Sequence, residues 1–167
     1  AGHWQAPFYM TFAEYFTART YSAPHEEIPA EWQHDTYYQR TGMPADSIAK
    51  MRKGSSGFAA LVEPLPRQFN RLRDGQVLTI NGNQWQVVVG EGHSPEHACL
   101  YCPALKIMLS GDQVLPKITS NVSVTGTEPD ANPLQRWMDS LQKLLGFPDD
   151  TLVCPAHNRP FYGLQAR

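Results

Sequence analysis

Long apolar runs are missing from this chain. No stretch of its 167 residues approaches the roughly 20 apolar residues of a membrane span, which removes the helical membrane classes. Charge of one sign is also missing. Fourteen Lys and Arg stand against 16 Asp and Glu, interspersed, for a net charge of −2. No face is basic enough to suggest nucleic acid or an anionic membrane as a partner. Cysteine is scarce and odd in number: Cys99, Cys102 and Cys154. An odd count with no secretory leader favours free thiols in a reducing, cytoplasmic compartment. Asn121-Val-Ser123 has the form of a glycosylation acceptor, which carries no meaning there. Repeats and low-complexity tracts are absent. What remains is ordinary: 41% apolar and 18% charged residues suit one globular domain over 1–167.

Local patterns divide the chain in two. Ala6-Pro-Phe-Tyr-Met10 reads as a short buried strand. Thr11, with Glu14 three residues on, reads as a capping box opening a helix toward Arg19. Residues 24–60 hold three prolines, two short helices (Ala30 to Arg40, Ala45 to Lys53) and Gly54-Ser-Ser-Gly57, the pattern of a helical insertion. Strands follow. Val77 to Ile80 and Trp85 to Val89, joined through Asn81-Gly82, predict a hairpin with a type I′ turn. Ala98 to Tyr101 and Lys106 to Leu109 predict two more strands, and 113–132 a long loop. Pro133 to Leu145 is the clearest helix. Asn132 caps it, Gly146 ends it, and Leu134, Trp137, Met138, Leu141, Leu144 and Leu145 predict one docking face. Thr151 to Cys154 is a last strand.

Three of these apolar runs end on residues that carry chemistry. His93 follows Gln84–Val89, Asp112 follows Leu105–Ser110, and His157 follows Thr151–Cys154. Strand ends gather side chains from distant parts of a chain, and two imidazoles with a carboxylate make a set of metal ligands. Each has a plainer reading, as a structural histidine or a turn residue, but the repetition at three strand exits favours a shared site. His93-Ser-Pro-Glu-His97 also has the H-x-x-E-H order of inverzincin proteases. That motif needs a helix, and Gly92 and Pro95 speak against one. Cys99-Leu-Tyr-Cys102 is C-x-x-C, yet it falls within a strand, where alternation sends the two thiols to opposite faces.

Gly92-His-Ser-Pro-Glu-His97, Ser110-Gly-Asp112 and Pro155-Ala-His157, in that order, resemble the later metal motifs of the metallo-β-lactamase-fold hydrolases. The resemblance lies nearest the β-lactamase-like group that includes glyoxalase II relatives. It covers the chain from about residue 70 onward and extends more loosely to Ala6–Tyr15. It implies an α/β (α+β) fold: part of an αββα sandwich, mostly its second half, with the helical insertion at 24–60. It implies two zinc ions, or iron or manganese, with His93 on the first, Asp112 bridging and therefore catalytic, and His157 on the second. His97 would stand behind these ligands and orient their loop. The implied reaction is attack of a metal-activated water on an ester, thioester or related bond of a small molecule. In the insertion, Trp32, Tyr37 and Tyr38 are candidates for a substrate wall or for helix–sheet packing.

The chain departs from the family in two ways. Glu96 stands where relatives often have Gly. The family's first motif, H-x-H-x-D-H, is not found: only His3, His25 and His34 precede His93, and none has that spacing. The expectation is therefore the later part of a longer hydrolase, binding metal weakly and inactive alone. A second copy would cover the sheet face left open. The alternative is a non-catalytic binding module on a reduced scaffold.

Overall fold

The computed structural model describes residues 5–23, 31–54 and 59–166, which form two compact units. The first comprises residues up to Glu14, Gln68–Ser123 and Asn132 onward; the second comprises Tyr15–Arg67 and Val124–Ala131. Among the described residues no helix is long and apolar enough to cross a membrane.

The first unit is built on a five-stranded sheet. Its strands are β3 (Val77–Ile80), β4 (Asn83–Gly90), β5 (His97–Cys102), β6 (Ile107–Gly111) and β7 (Leu152–Pro155), in spatial order β3-β4-β5-β6-β7. Neighbours are antiparallel except β6 and β7, which are parallel. The β3–β4 turn is as expected: Asn81 and Gly82 both have positive φ, 48° and 78°. The mixed α/β class is as expected too.

This topology decides where the site lies. With two antiparallel steps between them, β4 and β6 run the same way, and β7 runs with β6. The C-terminal ends of all three therefore open on one edge of the sheet, together with the start of β5. His93, His97, Asp112 and His157 sit at those four positions.

Helix α4 (Pro133–Leu144) supports the same unit. Asn132 Oδ1 accepts from the Gln135 amide at 3.1 Å, and Pro133 occupies the first turn. The core holds Val88, Cys99, Tyr101, Met108, Val114, Leu144, Val153 and Leu164, with Leu141, Phe147 and Phe161 against it. The expected docking face is narrower than its apolar pattern. Leu134 and Met138 are more than half exposed, and Leu145 is 41% exposed. At about 100° per residue these three lie within roughly 40° of one another. The helix docks instead through the neighbouring stripe of Ser140 and Leu144.

Two expectations near the start fail. Only Tyr9–Met10 forms strand β1, paired in parallel with β2 (Asn70–Arg71), and Tyr9 is 47% exposed rather than buried. Helix α1 (Phe12–Ser22) does begin after Thr11, but no capping box forms. The Ala13 amide donates to Glu96 Oε2 at 2.8 Å, and the Thr11 hydroxyl donates to the Glu96 carbonyl at 2.7 Å. Glu14 Oε1 is buried with no hydrogen-bond partner. A carboxylate 83 positions away thus does the work expected of a neighbour.

The second unit carries the rest of α1 with α2 (Trp32–Arg40) and α3 (Ala45–Gly54), close to the helices expected there. Ala30, Pro24, Pro29 and Ser55–Gly57 lie outside the described residues. Arg52 pairs with Asp35 across α2 and α3 at 2.5 Å. Tyr37 donates to the Val124 carbonyl at 2.9 Å and stacks edge-on with Tyr38, both beside Gly126. The two tyrosines thus pack on the 124–131 segment rather than on a sheet, and Trp32 is 76% exposed.

Candidate metal centre

The three strand-end residues meet. Asp112 leaves β6 directly, and its carboxylate lies between the two imidazoles. His93 Nε2 stands 3.6 Å from Oδ2, and His157 Nε2 stands 3.4 Å from Oδ1. Oδ1 is buried and makes no hydrogen bond; His157 is near it without the alignment of one. A buried carboxylate oxygen without a partner is costly unless a cation or donor faces it.

Surrounding groups fix the imidazoles. His93 Nδ1 lies 2.9 Å from the Asn121 carbonyl, which only accepts, so Nδ1 carries a proton and Nε2 is the ring nitrogen turned toward Asp112. Asn121, met in the sequence as a glycosylation tripeptide, is the site residue that the linear pattern hid. His97 Nε2 lies 3.2 Å from the Asp112 amide and 3.3 Å from the Ser110 carbonyl, and Ser94 Oγ lies 3.4 Å from Nδ1. The ring accepts from the amide in one tautomer and donates to the carbonyl in the other; either bond pins the β6 exit. Burial pushes the His97 pKa below its ordinary value, so the ring is neutral at pH 7.

Two glycines make this approach possible. Gly111 has φ 53°, and a Cβ there would lie 2.3 Å from His97 Nε2. Gly92 has φ 96°, and a Cβ would meet Trp137 Cβ at 2.4 Å and the Pro133 carbonyl at 2.5 Å. The His93 loop is thereby pressed onto the start of α4. Ser140 Oγ also takes the Glu91 amide at 2.8 Å.

The arrangement suits divalent cations. Two ligands of one tetrahedral zinc, each bonded at about 2.0–2.2 Å, stand about 3.3–3.5 Å apart, close to the two N···O distances here. The donors are nitrogen and oxygen, and the free Asp112 Oδ1 faces one of them. The count is short, however. Among the described residues no group of three or more His, Cys, Asp or Glu side chains is arranged to hold an ion by itself.

The other motifs do not form sites. His93 to Glu96 is a turn running into β5, not the helix an inverzincin needs. Cys99 and Cys102 are free, fully buried and on opposite faces of β5, and burial pushes the Cys99 pKa to about 12. His34 lies in the second unit, 3.4 Å from Asp35. His3 and His25 lie outside the described residues.

Known proteins agree with this architecture. Residues 12–157 match the Metallo-beta-lactamase superfamily. A hydroxyacylglutathione hydrolase of Fuscovulum blasticum is 28% identical over 102 residues, 61% of this chain and 37% of that protein. A beta-lactamase domain protein from Burkholderia ambifaria is 36% identical with a TM-score of 0.80, over 99% of this chain and 45% of the other. A metallo-beta-lactamase family protein from Thermus thermophilus is 24% identical with a TM-score of 0.75, over 97% and 50%. The chain thus spans half the length of these relatives or less. With its sheet, its strand-end residues and a family match over most of its length, the chain belongs to the metallo-beta-lactamase superfamily, a family of hydrolases.

Proposed function

We propose that this chain carries the later ligands of a dinuclear metallohydrolase centre. His93 would help to hold one ion and His157 the other, with Asp112 shared between them. The observation that carries this reading is the Asp112 carboxylate, with one oxygen toward each imidazole and Oδ1 buried without a hydrogen bond. Zinc suits the donors, as do iron and manganese. Two bound cations would supply a water acidic enough to ionise near neutral pH and would polarise a scissile carbonyl. The chain's own part is positional. Asn121 turns the His93 Nε2 toward the centre, and His97 holds the Asp112 backbone in place.

The substrate is a small molecule with an ester, thioester or related bond, met in the cytoplasm; the likeness to a hydroxyacylglutathione hydrolase favours a thioester. Two protein ligands per ion give weak binding against the roughly 10–16 kcal/mol of a closed zinc site. By itself the chain binds zinc more weakly than about 1 μM, about 8 kcal/mol, and hydrolyses an S-acyl glutathione poorly. Zinc titration against a chromophoric chelator tests this. D112N weakens binding at least tenfold; an unchanged affinity would remove Asp112 from the centre. Stoichiometric zinc surviving dialysis would contradict the weak site. Among the described residues no closed trio of ligands forms, which favours a second reading, a non-catalytic interaction module that has lost its metals; an effect of D112N on zinc affinity excludes it. A second copy is proposed to cover the open sheet face around the 41%-exposed Leu109. Light scattering at tens of micromolar then gives a dimer, and a monomer refutes it.

A further inference from the structure

One buried polar side chain at this sheet edge has no part in the centre as described. Gln113 follows Asp112 directly and is 0% exposed. Its backbone is held by two donors: the Trp137 indole N–H and the Ser120 hydroxyl each reach the Gln113 carbonyl at 3.4 Å. Its side chain reaches to the exit of β4, where Nε2 donates to the Glu91 carbonyl at 3.3 Å. Strand β5 lies between β4 and β6, so their exits are about 10 Å apart and no ladder hydrogen bond joins them. The fit at this bridge is close. A Cβ on Gly90, the last residue of β4, would meet Gln113 Cδ at 2.5 Å and Oε1 at 2.6 Å.

The bridging amide is only half satisfied. The Glu91 carbonyl only accepts, so the nitrogen end must face it, and Oε1 is left buried without a hydrogen-bond partner. An apolar side chain of the same shape would avoid that cost. A buried group that breaks this rule calls for another explanation. The explanation lies in what Gln113 joins. Glu91 stands two residues before His93, and Gln113 one after Asp112. Ser140 Oγ on α4 takes the Glu91 amide at 2.8 Å, and Gln113 takes the Glu91 carbonyl. Residue 91 is thus fixed at both ends before Gly92 turns the chain into His93. The exit of β7 needs no such brace, because the Ala156 amide donates directly to the Gly111 carbonyl at 2.9 Å.

We infer that Gln113 is a positioning residue of the metal centre: by bracing Glu91 against the β6 exit, it sets the approach of His93 to Asp112. The inference rests on the hydrolase reading above. It adds a residue whose effect falls on one ion, the one between His93 and Asp112, and spares the one between Asp112 and His157.

The test uses the full chain and three variants. Q113M keeps the length of the side chain without its amide. G90A leaves Gln113 chemically intact and pushes it aside. G90A/Q113A returns the space and not the bond. Zinc affinity is read against a chromophoric chelator, and Tm by circular dichroism. Q113M should melt within roughly 3 °C of the wild type and bind zinc about tenfold more weakly. G90A should lose both; G90A/Q113A should recover Tm without recovering zinc affinity. Cobalt(II), a paramagnetic probe for NMR, then reads the two histidines separately. In Q113M, and equally in G90A/Q113A should Q113M not fold, broadening of the His93 ring signals should diminish while that of His157 persists. A residue that merely filled space would move zinc affinity together with Tm and both rings alike. Wild-type zinc affinity in Q113M, recovered zinc affinity in G90A/Q113A, or equal loss at both rings would overturn the inference. D112N separates the two readings. Unchanged zinc affinity in D112N defeats the metal reading and this inference with it, whereas a fall in D112N with none in Q113M defeats this inference alone.

Discussion

Gly111→Ala is the substitution that most directly probes how the site is held. Two costs follow from the structure. Gly111 has φ 53°, and a residue with a Cβ in the left-handed region loses roughly 1–2 kcal/mol. The added Cβ would also lie 2.3 Å from His97 Nε2, which no real contact allows, so the ring must move. Moving it breaks the bond that joins Nε2 to Asp112 N–H or the Ser110 carbonyl, worth about 1 kcal/mol net, and disturbs a ring wedged in the sheet edge. The sum is about 3 kcal/mol. For a chain of this size that is a loss of roughly 6–12 °C in Tm. Circular dichroism melts and urea titrations measure it. The double-mutant cycle with His97→Ala is the sharper assay, because without the ring only the backbone cost of roughly 1–2 kcal/mol should remain. Zinc affinity should also fall, by about tenfold or more, since a displaced supporting group releases the ligand it orients. A Tm loss under about 2 °C, or the same loss with His97 already removed, would refute the reasoning.

Glu96→Ala should cost about 1 kcal/mol in urea unfolding by uncovering the Ala13 amide at the start of α1, whereas Glu14→Ala, which removes no cap, should cost less; the reverse order would restore the capping box. Asp74 gives the pH prediction. Burial raises its pKa, but the Lys143 ammonium and the Val89 amide outweigh burial and hold it below the ordinary value. A carboxyl lowered in the folded state adds stability above its unfolded pKa of about 3.9 and loses it as pH falls through the lower folded value. The stability gap between the wild type and Asp74→Asn should therefore be full at about pH 6 and shrink once pH falls below about 3.9; parallel curves would show no such contribution. With Cys99 and Cys102 buried, a thiol reagent at about pH 8 should modify at most Cys154 in the native protein and all three after denaturation; rapid modification of two thiols would contradict the fold.

Much of this protein was legible along the chain. Asn81-Gly82 located the β3–β4 turn because that turn needs positive φ at both central positions. Asn132-Pro133 marked the start of α4 through a local cap. His93, Asp112 and His157 were found as residues where apolar runs stop. Readings that depended on distant partners did not hold. Thr11-x-x-Glu14 has the form of a capping box, but Glu96 reaches the helix start first. Leu134, Met138 and Leu145 have the spacing of a buried face, yet the sheet receives the stripe beside them.

The sequence by itself determined which residues stand at strand ends, and with them the donor types available to a metal, because periodicity and turn chemistry are local. Only the tertiary structure decided that these ends meet. Two antiparallel pairings and one parallel pairing bring the exits of β4, β6 and β7 to one edge, and strand direction is not written in any single strand. The same pairing of β6 with β7 brought Lys117 and Arg159 to the wall of one cavity, and a backbone carbonyl at Asn121 turned Nε2 of His93 toward Asp112. The groups brought together in this way lie 28 to 42 residues apart in the chain, so no local pattern announces them.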